Sequence, residues 1–147
     1  IPVSNLIKFM KAPNIPLDGI MTEQTRALVV DDEQEVVDIL HKVLTEQANY
    51  EVRTTTTAFG AGLEAERFKP HVILLDMHLT DGDGSELAEI VRGEDDLQLT
   101  KVIGMSGKLT DVQLASMRTQ GYDDCLKKPF TVRDVISRVE ASMSVIQ

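Results

Sequence analysis

With 147 residues, 42% of them apolar and 27% charged, the chain has the material for one compact domain with a buried core plus a small extra element. The formal net charge of −9 argues against nucleic-acid binding by residues 26–147, because that binding relies on Lys and Arg to neutralise phosphates. A single cysteine, Cys125, cannot close an internal disulfide, and no apolar run approaches the ~20 residues of a membrane span or carries signal-peptide flanks, so no membrane role and a cytoplasmic location are expected.

The chain opens on Ile1 rather than methionine, which implies a start inside a longer polypeptide or after a removed segment. Residues 1–25 read as a short helix and linker: Ser4 is a fair N-cap, Leu6, Ile7, Phe9 and Met10 give a brief apolar face, and Pro13 and Pro16 end it. One such helix does not fold alone. Residues 26–147 form the main domain, in which short β-branched or apolar runs alternate with stretches of helical period, the pattern of a parallel sheet covered by helices on both faces. The predicted strands are β1 at Ala27–Val30, β2 at Glu51–Thr54, β3 at Val72–Leu75, β4 at Lys101–Met105 and β5 at Asp124–Lys127. β1 and β3 are uninterrupted apolar runs, as expected of central strands. Val36, Val37, Leu40, Val43 and Leu44 recur at helical spacing and mark α1, while Ala58, Ala61, Gly62, Ala65 and Phe68 mark α2. Further helices fit Ser85–Arg92 (α3), Asp111–Gln120 (α4) and Val132–Met143 (α5), each starting on or near an acid or hydroxyl residue. Five strand–helix repeats make an open sheet rather than a barrel, which needs eight. Open sheets bind ligands beyond the carboxyl ends of their strands, where the strand order switches.

Those ends carry the chemistry. β1 runs into Asp31, Asp32 and Glu33, β3 into Asp76, β4 into Ser106 and Gly107, and β5 into Lys128 and Pro129. The stretch LLDMHLTDGDG at 74–84 has the look of a calcium loop, but placing Gly82 or Gly84 at the sixth position leaves non-ligating residues at the first and twelfth positions, where a carboxylate and a bidentate glutamate are needed. Singly, each rim residue is also an ordinary cap or turn residue. Together, three carboxylates on one rim repel one another unless a cation holds them, and an open acidic pocket suits Mg2+, which keeps waters and phosphate oxygens among its ligands. Asp76 can then attack phosphorus as a carboxylate nucleophile, with Mg2+, Lys128 and the Ser106 hydroxyl stabilising charge on the phosphoryl oxygens.

In this arrangement VVDDE at 29–33, DMHLTDGDG at 76–84, MSG at 105–107 and GYDDCLKKPF at 121–130 resemble, in order, the motifs of the receiver domains of bacterial response regulators. The resemblance covers roughly Arg26 to Met143. It implies a flavodoxin-like, doubly wound five-stranded parallel sheet of strand order 2-1-3-4-5. It also implies phosphorylation of Asp76 by a histidine kinase or histidine phosphotransfer protein to switch an output, transcription among them. Asp32, Asp76 and the His78 carbonyl would ligate Mg2+, with Asp31 acting through water. Ser106 would turn toward the phosphoryl group, Lys128 would pair with it, and the Lys128–Pro129 bond would be cis. The resemblance further implies a weak homodimer through the α4–β5–α5 side, where Arg118, Asp123, Asp124 and Arg138 fall.

Three departures from the family stand out. Leu79-Thr80 replaces the usual Met-Pro, which costs the loop a rigid φ but no reactive group. Cys125 replaces the aromatic that moves on activation, reads as a small buried hydrophobe, and leaves the backbone at Gly104–Lys108 to carry the signal outward. His78 and Lys108 occupy positions that, in the family, affect loss of the phosphoryl group. IPVSNLIKFMKAPNIPL at the amino end is similar to the tail of excisionase or MerR-like winged helix-turn-helix domains, so a DNA-binding domain is expected before Ile1; an irregular extension packed on the main domain is the alternative. Two other functions stay open at this point. A Mg2+-dependent phosphohydrolase also uses an aspartate after an apolar strand, although His78 stands where its second Asp belongs. An inactive binding scaffold would not need the full set of Asp31, Asp32, Asp76, Ser106 and Lys128.

Overall fold

A computed structural model describes residues 24–107, 115 and 117–144; the amino-terminal helix, Lys108 and most of α4 lie outside the described residues. β1 spans Arg26–Val30, β2 Glu51–Thr55, β3 Val72–Asp76, β4 Lys101–Ser106 and β5 Asp124–Lys127. They form one parallel sheet in the order 2-1-3-4-5. The chain therefore reverses direction across the sheet between β1 and β3, which pair with Val29 opposite Leu74 and Val30 opposite Leu75. That switch point lies directly below the acidic motifs.

Side chains alternate between the two faces of each strand, so the sheet carries two cores. Leu28, Val30, Ile73, Leu75 and Val102 face α2 (Ala58–Phe68) and α3 (Gly84–Gly93), meeting Ala61, Ala65, Leu87, Ala88 and Val91. Ala27, Val29, Val72, Leu74, Ile103 and Met105 face α1 (Gln34–Glu46) and α5 (Val132–Ser144), meeting Val37, Leu40, Leu44, Val135 and Val139. β3 is buried throughout, which explains its unbroken apolar run, whereas edge strand β2 is exposed or half-buried along its length.

Helix starts are fixed by local side chains. The Thr57 hydroxyl accepts the Gly60 N–H at 2.9 Å before α2. At α5, Thr131 and Asp134 cap each other reciprocally: the Thr131 hydroxyl accepts the Asp134 N–H at 3.1 Å and the Asp134 carboxylate accepts the Thr131 N–H at 2.9 Å.

Three features depart from the sequence-based expectation. β2, β3 and β4 each run one residue further, so Asp76 and Ser106 are the last residues of strands rather than the first of loops. The loop after β3 folds into a small antiparallel hairpin pairing His78 with Asp83 and Leu79 with Gly82. A 3-10 turn, Asp95–Leu97, follows α3. Such elements of two or three residues are too short for periodicity to reveal. Of α4, Ala115 and Met117 are helical and Arg118–Gln120 form a 3-10 turn.

Tyr122 is buried between these elements. A methyl group built on Gly104 would lie 2.9 Å from its Cδ1 and Cε1 atoms, and one on Gly84 would lie 2.9 Å from its hydroxyl and 2.7 Å from the Asp76 carbonyl oxygen. Gly104 is thus required by the approach of a ring rather than by conformational freedom.

Candidate functional site

At the carboxyl rim, the buried strands deliver their last side chains to one place. Asp31, reached straight from β1, is fully buried, Asp76 is 5% exposed, and Asp32 is exposed at the mouth. Ligand oxygens from these three carboxylates all lie within 4.8 Å of one another. Asp76 pairs across the sheet with Met105, so Ser106, itself buried, ends β4 one position beyond it. The Met77 N–H donates to the Met105 carbonyl at 3.0 Å and the Lys128 N–H to the Ser106 carbonyl at 2.8 Å, which extends the ladder into the site and fixes its backbone.

Lys128 reaches in from the end of β5. Its Nζ lies 2.7 Å from Asp31 Oδ2, 3.7 Å from Asp76 Oδ2 and 3.6 Å from Glu33 Oε1. Burial alone would lower the Lys128 pKa, but the hydrogen bond to Asp31 and the charges of Asp31, Asp76 and Glu33 outweigh it and hold the ammonium above its ordinary value. One cation therefore serves three carboxylates. Burial pushes the Asp76 carboxyl from 3.8 to about 6; the His78 N–H, donating to Asp76 Oδ1 at 3.1 Å, pulls the other way, Asp31 and Asp32 add to the rise, and Lys128 opposes it. The Lys128–Pro129 bond is cis.

The residues present fit a divalent cation. Two buried carboxylates and one exposed carboxylate converge, and Lys128 supplies less charge than they carry. Asp32 faces solvent, and Mg2+ characteristically keeps waters or phosphate oxygens among its ligands.

The structure brings Asp31, Asp32, Asp76 and Lys128 together and sets Ser106 on the adjoining strand end. His78 meets Asp76 through its backbone N–H, while its side chain is exposed. Cys125, read from sequence as a small buried hydrophobe, packs against the α2–α3 core but is only partly buried, because an edge strand leaves one flank open. Three of the charges expected at a dimer face bond within the chain, Arg138 Nη1 to Asp124 at 3.2 Å and Asp123 Oδ2 to Arg92 Nη2 at 2.6 Å; the Arg118 side chain lies outside what the structure describes. Sequence reasoning missed Thr80, whose hydroxyl donates to Asp32 Oδ2 at 2.8 Å, and Asp81, whose carboxylate accepts the Ala58 and Phe59 N–H groups at 2.7 and 3.2 Å. Asp81 could have been found as an acid able to cap a helix, but its helix is 23 residues earlier in the chain.

The family model described as the response regulator receiver domain matches residues 27–140. The chain belongs to this family of signalling domains. It is 31% identical over 119 residues to the nisin biosynthesis regulatory protein NisR of Lactococcus lactis subsp. lactis, which covers 80% of this chain and 50% of that protein. It is 33% identical over 123 residues to the transcriptional regulatory protein ResD of Bacillus subtilis (strain 168), covering 82% of this chain and 48% of that protein. The chain thus spans about half the length of these curated relatives. In fold it is similar to the chemotaxis response regulator CheY4 of Vibrio cholerae, with a TM-score of 0.77 at 21% identity over 82% of this chain and 99% of that one. Among the described residues, no helix is long and apolar enough to cross a membrane.

Proposed function

We propose that this chain is the phosphoacceptor switch of a two-component response regulator, that Asp76 takes its phosphoryl group from a histidine kinase or histidine phosphotransfer protein, and that the output is transcriptional, as in ResD. The observation that carries this reading is the acid cluster at the switch point of the sheet, where Asp76, nearly buried, faces Asp31, Asp32 and the ammonium of Lys128.

In the transfer, an Asp76 oxygen forms a bond to phosphorus as the P–N bond to the donor's imidazole breaks, and the leaving nitrogen keeps the electron pair. Mg2+, held by Asp32, Asp76 and the His78 carbonyl with Asp31 acting through water, would supply positive charge beside the phosphoryl oxygens. Lys128 releases part of its hold on Asp31 and pairs with a phosphoryl oxygen, and the Ser106 hydroxyl donates to another. Both answer the ~1.5–2 negative charges that phosphorylation adds. A phosphohydrolase would want a second acid two residues after Asp76; that position is His78, which offers Asp76 only its backbone.

The donor needs a surface next to the rim. Val36, Ile39, Phe130 and Val132 line an apolar groove between α1 and α5 beside Lys128 and Pro129, and Ile39 is 55% exposed. We place the donor there.

Intact-mass measurement after incubation with acetyl phosphate and Mg2+ tests the reading. Wild type gains one phosphoryl group and Asp76→Asn gains none; equal gain by both overturns the assignment of Asp76. With a histidine-phosphorylated phosphotransfer domain as donor, Ile39→Asp slows transfer while labelling by acetyl phosphate is unchanged. Equal slowing of both would move the donor surface elsewhere.

A further inference from the structure

We infer that Thr80 is a positioning residue that holds the Asp32 carboxylate for a divalent cation; the inference rests on the metal reading proposed above. Asp31 is held by Lys128 and by the Glu33 N–H, and Asp76 by the His78 N–H and Lys128. Asp32 is exposed, and Thr80 is the one side chain among the described residues that hydrogen-bonds it, Oγ1 to Oδ2 at 2.8 Å across 48 positions of sequence. A surface carboxylate otherwise samples several rotamers, and fixing it costs conformational entropy whenever a ligand needs it in place.

Thr80 is able to do this because its own position is fixed from both sides. Leu79 before it is 8% exposed and packs in the α2–α3 core. Asp81 after it is bonded by both carboxylate oxygens to the first N–H groups of α2. The hairpin of His78–Leu79 with Gly82–Asp83 closes the loop beneath. A β-branched side chain on so constrained a backbone has little χ1 freedom, so its hydroxyl is delivered to Asp32 at small entropic cost. The bond engages Oδ2 and leaves Oδ1 of the carboxylate for a cation. The Leu79-Thr80 departure, which reads from sequence as the loss of a proline, thereby adds a hydrogen-bond donor that proline lacks.

The test is calorimetric titration of the full chain with Mg2+ for wild type, Thr80→Val and Thr80→Ser, with amide hydrogen exchange of residues 78–83 in metal-free buffer as a second readout. Valine keeps the shape and removes the hydroxyl; serine keeps the hydroxyl. Loss of an orienting partner typically weakens metal binding ~10–100-fold at enclosed sites, and at this open one Thr80→Val is expected to raise the Mg2+ Kd ~3–10-fold. Thr80→Ser should bind within about twofold of wild type, and exchange at 78–83 should quicken in the valine variant only. Wild type that binds Mg2+ while Thr80→Val binds equally or more tightly overturns the role of Thr80 and leaves the metal reading standing. Equal weakening by serine and valine overturns it too, by assigning the effect to packing rather than the hydroxyl. Wild type without saturable binding overturns the metal reading itself, and the inference falls with it.

Discussion

The two rims of the same sheet treat charge in opposite ways. At the amino-terminal rim, arginines are saturated with acceptors. Arg26 donates through Nε and Nη2 to the Phe68 and Lys69 carbonyls, and Arg92 donates to the carbonyls of Gln98, Thr100 and Gly121 and to Asp123. Asp123 in turn accepts the Val102 N–H at 2.8 Å, so this charge pair also stitches β4 to the segment entering β5. At the carboxyl rim, Asp31, Glu33 and Asp76 converge on Lys128, their one cationic partner among the described residues, and Asp32 adds a further carboxylate beside Asp31 and Asp76. A rim whose charges are matched holds the scaffold. A rim left with excess negative charge, on the most buried strands of the sheet, gives up stability for an attraction to cations, which is what the proposed metal site would use.

Substitutions at the two rims should therefore have opposite signs. Arg92→Ala deletes several charge-assisted hydrogen bonds at once and leaves the Asp123 carboxylate without its cation; we expect a loss of about 2–4 kcal/mol in urea unfolding, with the midpoint shifted and the slope unchanged. A loss below about 0.5 kcal/mol would end the contrast. Asp76→Asn, in metal-free buffer at pH 7.5, should instead stabilise by about 1–3 kcal/mol, because a carboxylate raised from 3.8 to about 6 is unfavourably ionised above that pH. Saturating Mg2+ should reduce the gain by stabilising wild type more than the variant, and a variant less stable than wild type without metal would refute the account.

The pH dependence sharpens the same point. Between about pH 4 and 6 the folded protein holds the Asp76 proton that the unfolded chain has released, so this group's contribution makes metal-free stability fall as pH rises through that window and level off above it. The stability difference between Asp76→Asn and wild type should therefore shrink toward low pH. A difference independent of pH would assign the effect to packing. The smallest effect concerns Cys125, whose thiol is raised by burial and by Asp124, with Arg138 opposing. Its alkylation by iodoacetamide at pH 8 should be slower than that of a free cysteine and should quicken as pH rises further, since only the thiolate reacts.

The fold was legible in the sequence wherever burial is two-sided. The unbroken runs of β1 and β3 and the helical spacing of Val37, Leu40 and Leu44 each report a face that must avoid water. The acidic positions were legible because Asp31 and Asp76 interrupt or end such runs. What escaped is what depends on tertiary distance: a threonine in a loop carries no sign of an aspartate 48 positions earlier, and a tyrosine next to Gly121 carries no sign of the notches that admit it. The strand ends were misjudged by one residue at Asp76 and Ser106 because polar residues look like loop, whereas the ladder continues through Met105 and Ser106 regardless of side-chain polarity.

Tyr122 has one more consequence. Its ring and hydroxyl occupy the space that side chains at Gly104 and Gly84 would fill, so these positions behave as a mortise and tenon. Enlarging Gly104 alone strains the ring, and shrinking Tyr122 alone leaves a void beside Gly84 and Gly104. In a library that varies both positions, folded members should carry either a large residue at 122 with glycine at 104 or a small residue at 122 with a larger one at 104. The mixed combinations should be depleted, so the joint is heritable only as a unit.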